Sequence, residues 1–319
     1  MAILGLHHVT ATVDEAQPDL DFCLEGLGLR LVKKTVNFDN HHVYHFYYGN
    51  ERGTPGTIWT TFPYAGKNVS VGTKGAGQVV ATAFSVPTGA LDEWRLHLSA
   101  KAIAVNDLQP RFGEPAIGFS DPSGLMFELI ANAGDSRTGW ERGGRSADPD
   151  ERPPSPTPIR GLHSVTLLVR DPAKTIDLMT TLLDWTVVDE TAGRIRVAVN
   201  GGGPGRWIDV AHDPHAEAAV NGLGTVHHVA MAIPSEEEQL ALREKLIDYG
   251  CRVTEVRDRC YFKSIYFREP GNVLFEVATT SPGFTLDEDV ASLGKGLKLP
   301  PWEEPHRDEI EQGLVPVRT

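Results

Sequence analysis

The sequence predicts an α+β fold of four βαβββ modules gathered into two paired-module curved sheets, and three observations carry that expectation. Four segments open alike: GLHHVTATV (5–13), QVVATAFSVP (78–87), GLHSVTLLVRDP (161–172) and GTVHHVAMAIP (224–234), each alternating as a half-buried strand does. Each is followed by a helical stretch and then by two or three more strand-like runs. The last of those runs repeats too, since DPSGLMFEL (121–129) matches EPGNVLFEV (269–277) almost position for position. A unit of roughly 50 to 60 residues is too small to cover both faces of its own sheet, so copies should pair.

In chain order, module 1 opens on GLHHVTATV and closes on TPGTIWTTF (54–62), which places Thr61 where Glu128 and Glu276 stand in modules 2 and 4. In module 3, Asp171 and Pro172 read as an N-cap and a first helical residue, with Ile176, Met179, Leu182 and Leu183 as the apolar face. Its closing run, GPGRWIDVAHD, brings Asp209 to the acidic position only if one residue is deleted. In module 4, Ser235 and Glu238 form a capping box, Leu242, Leu246 and Ile247 recur at helical spacing, and Gly250 stops the helix. The expected divisions are an N-terminal half at 1–132 (modules 1 and 2), a Pro-, Gly- and charge-rich linker at 133–160, a C-terminal half at 161–280 (modules 3 and 4), and a tail at 281–319 that packs across a sheet.

Composition narrows the function. Across 319 residues, 40% hydrophobic content suits a sizeable core, and a formal charge of -13 opposes binding to a phosphate backbone, so no nucleic-acid partner is expected. No run reaches the roughly 18 apolar residues of a membrane span, and MAILGLHHVT lacks the marks of a secretory signal, so no membrane association and a cytoplasmic location are expected. The three cysteines, Cys23, Cys251 and Cys260, are too far apart for a Cys-x-x-Cys zinc site and odd in number for a disulfide framework; they read as free thiols.

The repeated histidine pairs suggest a site. Successive strand residues point to opposite faces, so His7, Val9, Ala11 and Val13 share one face of the first strand, and His8, Thr10 and Thr12 the other. In module 4, His227, Val229, Met231 and Ile233 oppose His228, Ala230 and Ala232. The first faces suit helix packing; the second, small or polar, suit a cleft wall. Modules 2 and 3 carry Ala81 and Ser164 at the cleft position, so two modules at most supply a histidine there. His45, His163 and His212 read as ordinary hydrogen-bonded histidines, and Glu128 as a relic paired with a neighbouring donor.

Repeated βαβββ units with His on the first strand and Glu on the last resemble the vicinal oxygen chelate superfamily of glyoxalases, bleomycin-resistance proteins and extradiol dioxygenases, over nearly the whole chain. More narrowly, GLHHVT, GTPGTIWTTFP, HHVAMAIP, DRCYFKSIYFREPGNVLFEVAT and GFTLDEDVASLGKGLKLPP resemble the hydroquinone-type ring-cleaving dioxygenases, such as the 2,6-dichlorohydroquinone 1,2-dioxygenases. The resemblance implies the vicinal oxygen chelate fold, a site between modules 1 and 4, and a small aromatic substrate with O2 as co-substrate. Two imidazoles and one carboxylate make the facial triad of non-haem Fe(II) oxygenases, and His8, His228 and Glu276 are the expected metal ligands, with Mn(II) also compatible. Tyr266 and Arg259 match family positions near the substrate, as a proton donor and an oxyanion holder. His7 and His227 match family residues near the site as well, whereas alternation turns them to the helix side, so a twist or bulge would have to bring them in.

Two other readings share the fold. A glyoxalase-like isomerase or lyase would commonly use two carboxylates, against which Thr61 argues, and a drug-sequestering resistance protein could dispense with the ligands. A homo-oligomer is compatible with all three.

Overall fold

The computed structural model describes residues 3–139, 157–191 and 193–319. Module 1 supplies β1 (Gly5–Val13), α1 (Ala16–Asp21, prolonged by a π-helical turn at Phe22–Gly26), β2 (Arg30–Asn37), β3 (Asn40–Gly49) and β4 (Ile58–Pro63). Module 2 supplies β5 (Gln78–Val86), α2 (Leu91–Ala100), β6 (Asn106–Arg111), β7 (Glu114–Ser120) and β8 (Met126–Ala131). Module 3 supplies β9 (Gly161–Val169), α3 (Ala173–Asp177, prolonged at Leu178–Leu182), β10 (Thr186–Thr191), β11 (Arg194–Ala198) and β12 (Trp207–His212). Module 4 supplies β13 (Thr225–Ile233), α4 (Glu236–Asp248), β14 (Arg257–Asp258), β15 (Lys263–Arg268) and β16 (Leu274–Thr279). The tail ends in a short helix, α5 (Arg307–Gly313).

The modules pair across the chain rather than along it. One eight-stranded sheet runs β14-β15-β16-β13-β1-β4-β3-β2, uniting modules 4 and 1; the other runs β10-β11-β12-β9-β5-β8-β7-β6, uniting modules 3 and 2. In each sheet the two first strands meet antiparallel at the centre, β1 against β13 and β5 against β9. Val9, Ala11, Val13, Val229, Met231 and Ile233 are fully buried in one continuous core with Leu20, Leu242 and Leu246 of the helices. Among the described residues no helix is long and apolar enough to cross a membrane.

Local signals act as their chemistry requires. Ser235 Oγ accepts from the Glu238 backbone N–H at 3.2 Å, the first half of a capping box. Asp171 Oδ1 accepts from Ala173 N–H at 2.9 Å, with Pro172 one residue ahead of the helix rather than inside it. Of the expected linker, residues 140–156 lie outside the described residues. Its flanks are built into the fold: Trp94 Nε1 donates to the Thr157 carbonyl at 3.0 Å, and Arg137 pairs with Asp135 while donating to the Leu162 carbonyl at 2.9 Å.

The tail lies across the cleft face of the first sheet, where Phe284 and Leu293 pack with Val32, Tyr47, Ile58, Ala230 and Ala278. The Lys33 ammonium, fully buried, is held between Asp287 and Glu288 of that tail.

Candidate metal centre

The central strands of the first sheet set the geometry. His8 on β1 and His228 on β13 lie close across an antiparallel pair, and β16 runs parallel beside β13 with Glu276 opposite Ala230. The His8 and His228 Nε2 atoms are 3.2 Å apart, and Glu276 Oε2 sits 3.3 Å from the first and 2.8 Å from the second. All three residues are buried. Among the described residues they form the one cluster of three His, Cys, Asp or Glu whose ligand atoms lie within 4.8 Å of one another.

That triangle fits a cation. Three ligands at right angles around an ion with bonds of about 2.1 Å would stand about 3.0 Å apart. Ser264 Oγ satisfies Glu276 Oε1, whereas Oε2 is buried with no hydrogen-bond donor in acceptable geometry, despite its nearness to both imidazoles. Burial raises the Glu276 carboxyl and the two imidazoles outweigh it, holding the group well below the usual carboxylate range. Burial also lowers the His228 imidazole. A deprotonated acid facing imidazole lone pairs is the donor set a divalent ion requires.

The first histidine of each pair sits on a bulge. Pairing of β1 with β13 steps from Leu6↔Met231 to His8↔Ala230, leaving His7 as an extra residue, and from Thr10↔His228 to Ala11↔Val226, leaving His227 as another. The bulges resolve the conflict between alternation and family position. His7 Nδ1 lies 2.8 Å from His8 Nδ1, and His227 Nδ1 lies 2.7 Å from His228 Nδ1. An imidazole that offers Nε2 to an ion carries its proton on Nδ1, so each first histidine is placed to accept that proton's hydrogen bond and fix the ligand ring. His227 also lines the cavity. Burial, reinforced by the adjacent ligand histidine, lowers both to about 3 and keeps them neutral acceptors.

Strand register corrects one sequence assignment. Parallel pairing sets Ala230 against Glu276, Ala83 against Glu128, Thr166 against Asp209, and Thr10 against Thr60. The module 1 counterpart of Glu276 is therefore Thr60, not Thr61. Modules 1 and 3 have one residue fewer between the turn proline and this position, the same deletion that Asp209 required. Thr61 points to the helix side, where its hydroxyl donates to Asp19 Oδ2 at 2.6 Å, while Thr60 bonds His45 Nε2 and Thr10 Oγ1, each at 2.8 Å.

A cavity of about 370 Å³ opens beside the triad, with Phe62, Tyr64 and Phe262 among its walls. Arg259 and Tyr266 both line it; Arg259 Nε donates to the Tyr266 hydroxyl at 3.1 Å, and Nη2 reaches Asp39 of module 1 at 2.9 Å. Burial and the Glu276 charge raise the Tyr266 phenol, which stays protonated. His45 also lines the cavity, although sequence reasoning read it as ordinary. The β3–β4 hairpin register was the signal that could have placed it. Glu128 takes a two-pronged contact from Arg111, as expected of a relic with a donor.

Known proteins agree on the class. The description "Glyoxalase/Bleomycin resistance protein/Dioxygenase superfamily" matches residues 161–277, and full-length relatives extend the match, so the chain belongs to that superfamily. Among its relatives is a Bacillus subtilis (strain 168) protein named as a ring-cleaving dioxygenase, MhqO, 41% identical over 98% of this chain and 96% of that protein. Chlorohydroquinone/hydroquinone 1,2-dioxygenase of Sphingobium indicum is 35% identical over 96% of this chain and 94% of its own length. A crystal structure of a Bacillus subtilis protein described as a dioxygenase superposes with a TM-score of 0.91 at 40% identity, covering 99% of this chain and 98% of that one.

Proposed function

We propose that this protein is a metal-dependent ring-cleaving dioxygenase acting on hydroquinone-type aromatics, with Fe(II) held by His8, His228 and Glu276. The observation that carries the reading is the convergence of those three ligand atoms beside a cavity whose opposite strand bears Thr60 in place of a second carboxylate. A hydroxyl there leaves room for substrate and O2, and it argues against a two-carboxylate isomerase. The full-length relatives named for ring cleavage support the same reading.

When bound, Fe(II) would supply a Lewis acid for a phenolic oxygen and a redox partner able to engage O2. The chain's own residues do the rest. His7 and His227 hold the ligand imidazoles in one tautomer, and Ser264 orients the Glu276 carboxylate. Phe62 and Phe262 give the cavity apolar wall suited to an aromatic ring. Arg259, fixed by Asp39, presents a cation to negative charge that develops on the ring oxygens, and the neutral Tyr266 phenol beside it can donate a proton. A para-hydroquinone can offer the ion only one hydroxyl, so its far end must be held by side chains of this kind.

The test is anaerobic reconstitution with Fe(II), followed by O2 uptake across a panel of hydroquinones and catechols. Stoichiometric uptake with ring-opened product is expected for hydroquinones. Iron-loaded protein that takes up no O2 with any member of the panel would defeat the proposal.

A further inference from the structure

The first sheet carries a pseudo-twofold relation between modules 1 and 4 that singles out His45. Glu276 of β16 faces Tyr266 of β15, and the counterpart Thr60 of β4 faces Tyr47 of β3. Two residues before each tyrosine stand Ser264 and His45, and each bonds the key residue of its neighbouring strand: Ser264 to Glu276, His45 to Thr60. One relation orients a ligand carboxylate. The other anchors an imidazole where no ligand stands.

The Thr60 hydroxyl bears on what that imidazole offers. It contacts both Thr10 Oγ1 and His45 Nε2 at 2.8 Å, and in the arrangement where it donates to Thr10, His45 Nε2–H donates to it and the proton of neutral His45 is on Nε2. Nδ1 then carries a lone pair and makes no hydrogen bond among the described residues. The ring packs against Tyr47 at 3.9 Å and Phe62 at 4.2 Å between centroids, which holds its orientation, and the residue lines the cavity. His8, His228, Glu276 and Arg259 are the charged or titratable groups that act on it, and burial keeps it neutral.

We infer that His45 is a specificity residue: its Nδ1 accepts a hydrogen bond from a ring hydroxyl of the aromatic bound in the cavity. The inference rests on the hydroquinone reading above and adds a recognition element from module 1, opposite Arg259 and Tyr266 of module 4. An acceptor that the bound ring shields from water and the wrong ligand leaves unpaired discriminates more sharply than apolar fit can.

Two substitutions separate recognition from scaffolding. His45→Gln keeps a donor for Thr60 near the Nε2 position and loses the Nδ1 acceptor; His45→Asn restores an acceptor near Nδ1 and gives up the reach to Thr60. Anaerobic equilibrium binding of hydroquinone and of 4-methoxyphenol to the Fe(II)-loaded proteins is measured alongside thermal midpoint and iron content. The expected result is that the parent prefers hydroquinone, that Gln weakens this preference about tenfold, and that Asn retains more of it. A purely structural role predicts the reverse order, and that order, or an unchanged preference in both variants, overturns the inference. Failure of the parent itself to bind hydroquinone overturns the hydroquinone reading and this inference together, so the two failures are distinguishable.

Discussion

Replacing Glu276 by Gln preserves volume and removes the one anion of the proposed metal triad. The new amide would stand where Oε2 now lies, 2.8 Å from His228 Nε2 and 3.3 Å from His8 Nε2. An N–H donor there satisfies a lone pair that an ion would otherwise use, which offsets the lost attraction between the carboxylate and the two imidazoles, so the metal-free variant should stay within about 1 kcal/mol of the parent. Metal binding should suffer heavily. At one hundred times its Kd an ion stabilises the fold by about 2.7 kcal/mol. Outer partners of metal ligands are worth 10–100-fold in affinity, so a ligand is worth at least roughly 100-fold, which leaves only about 0.4 kcal/mol at the same ion concentration. With about 2–4 °C per kcal/mol for chains near this size, the metal-induced rise in Tm should fall from about 5–10 °C to about 1–2 °C. Calorimetry of chelator-stripped protein titrated with Mn(II), an air-stable stand-in, reads the difference directly. An equal metal-induced rise in parent and variant would refute the ligand assignment. So would a metal-free variant destabilised by several degrees with no metal response in either protein, the behaviour of a structural ion pair.

Two further outcomes follow from neighbouring groups. His227→Phe keeps the ring's bulk and removes the Nδ1 partner of His228, so Mn(II) affinity measured by chelator competition should fall 10–100-fold, with the metal-free Tm little changed; unaltered affinity would reduce His227 to packing. Asp121 is raised to about 7 by burial and by the Asp19 charge, against the Leu125 N–H it accepts. A carboxyl whose folded pKa is raised gives stability that is full below about pH 4 and is lost as pH rises through about 7, so Asp121→Asn should be more stable than the parent by on the order of 4 kcal/mol at pH 8 and by only about 1.5 kcal/mol at pH 5. Urea unfolding at both pH values checks it, and a variant gain independent of pH would contradict the assignment.

Repetition made the modules legible in the sequence, because each βαβββ unit carries its own alternation, helix signals and closing turn. What alternation could not convey was the bulge, whose extra residue comes from pairing between strands more than two hundred residues apart. Alternation assigned His8 and His228 to the cleft and, for the same reason, turned His7 and His227 away from the rings they hold. The Thr61 assignment failed in a related way: aligning the turn prolines assumes equal spacing to the strand, whereas register across β1 and β4 counts from the neighbour and arrives at Thr60. His45 needed both corrections, since it matters only once Thr60 is known to face the cleft.

The second sheet shows what separates the proposed metal centre from its counterpart cleft. Its pairing has the same bulges, at Val80 and His163, but the ligand positions carry Ala81 and Ser164 while both strand-end acids, Glu128 and Asp209, remain. Two buried carboxylates without imidazoles would attract a cation that nothing neutral helps to bind. The chain supplies the cations itself: Arg111 pairs with Glu128, and Arg196 grips Asp209 at 2.8 and 3.0 Å and reaches Glu114 at 2.8 Å, its guanidinium lying over Phe112 and Trp207. A guanidinium brings its own donors and needs no lone pairs, so that cleft is closed by side chains. In the first sheet the balance is inverted, with lone pairs in excess over acids and, among the described residues, no Lys or Arg against the triad's carboxylate oxygen, and a site with that imbalance is suited to take its cation from solution.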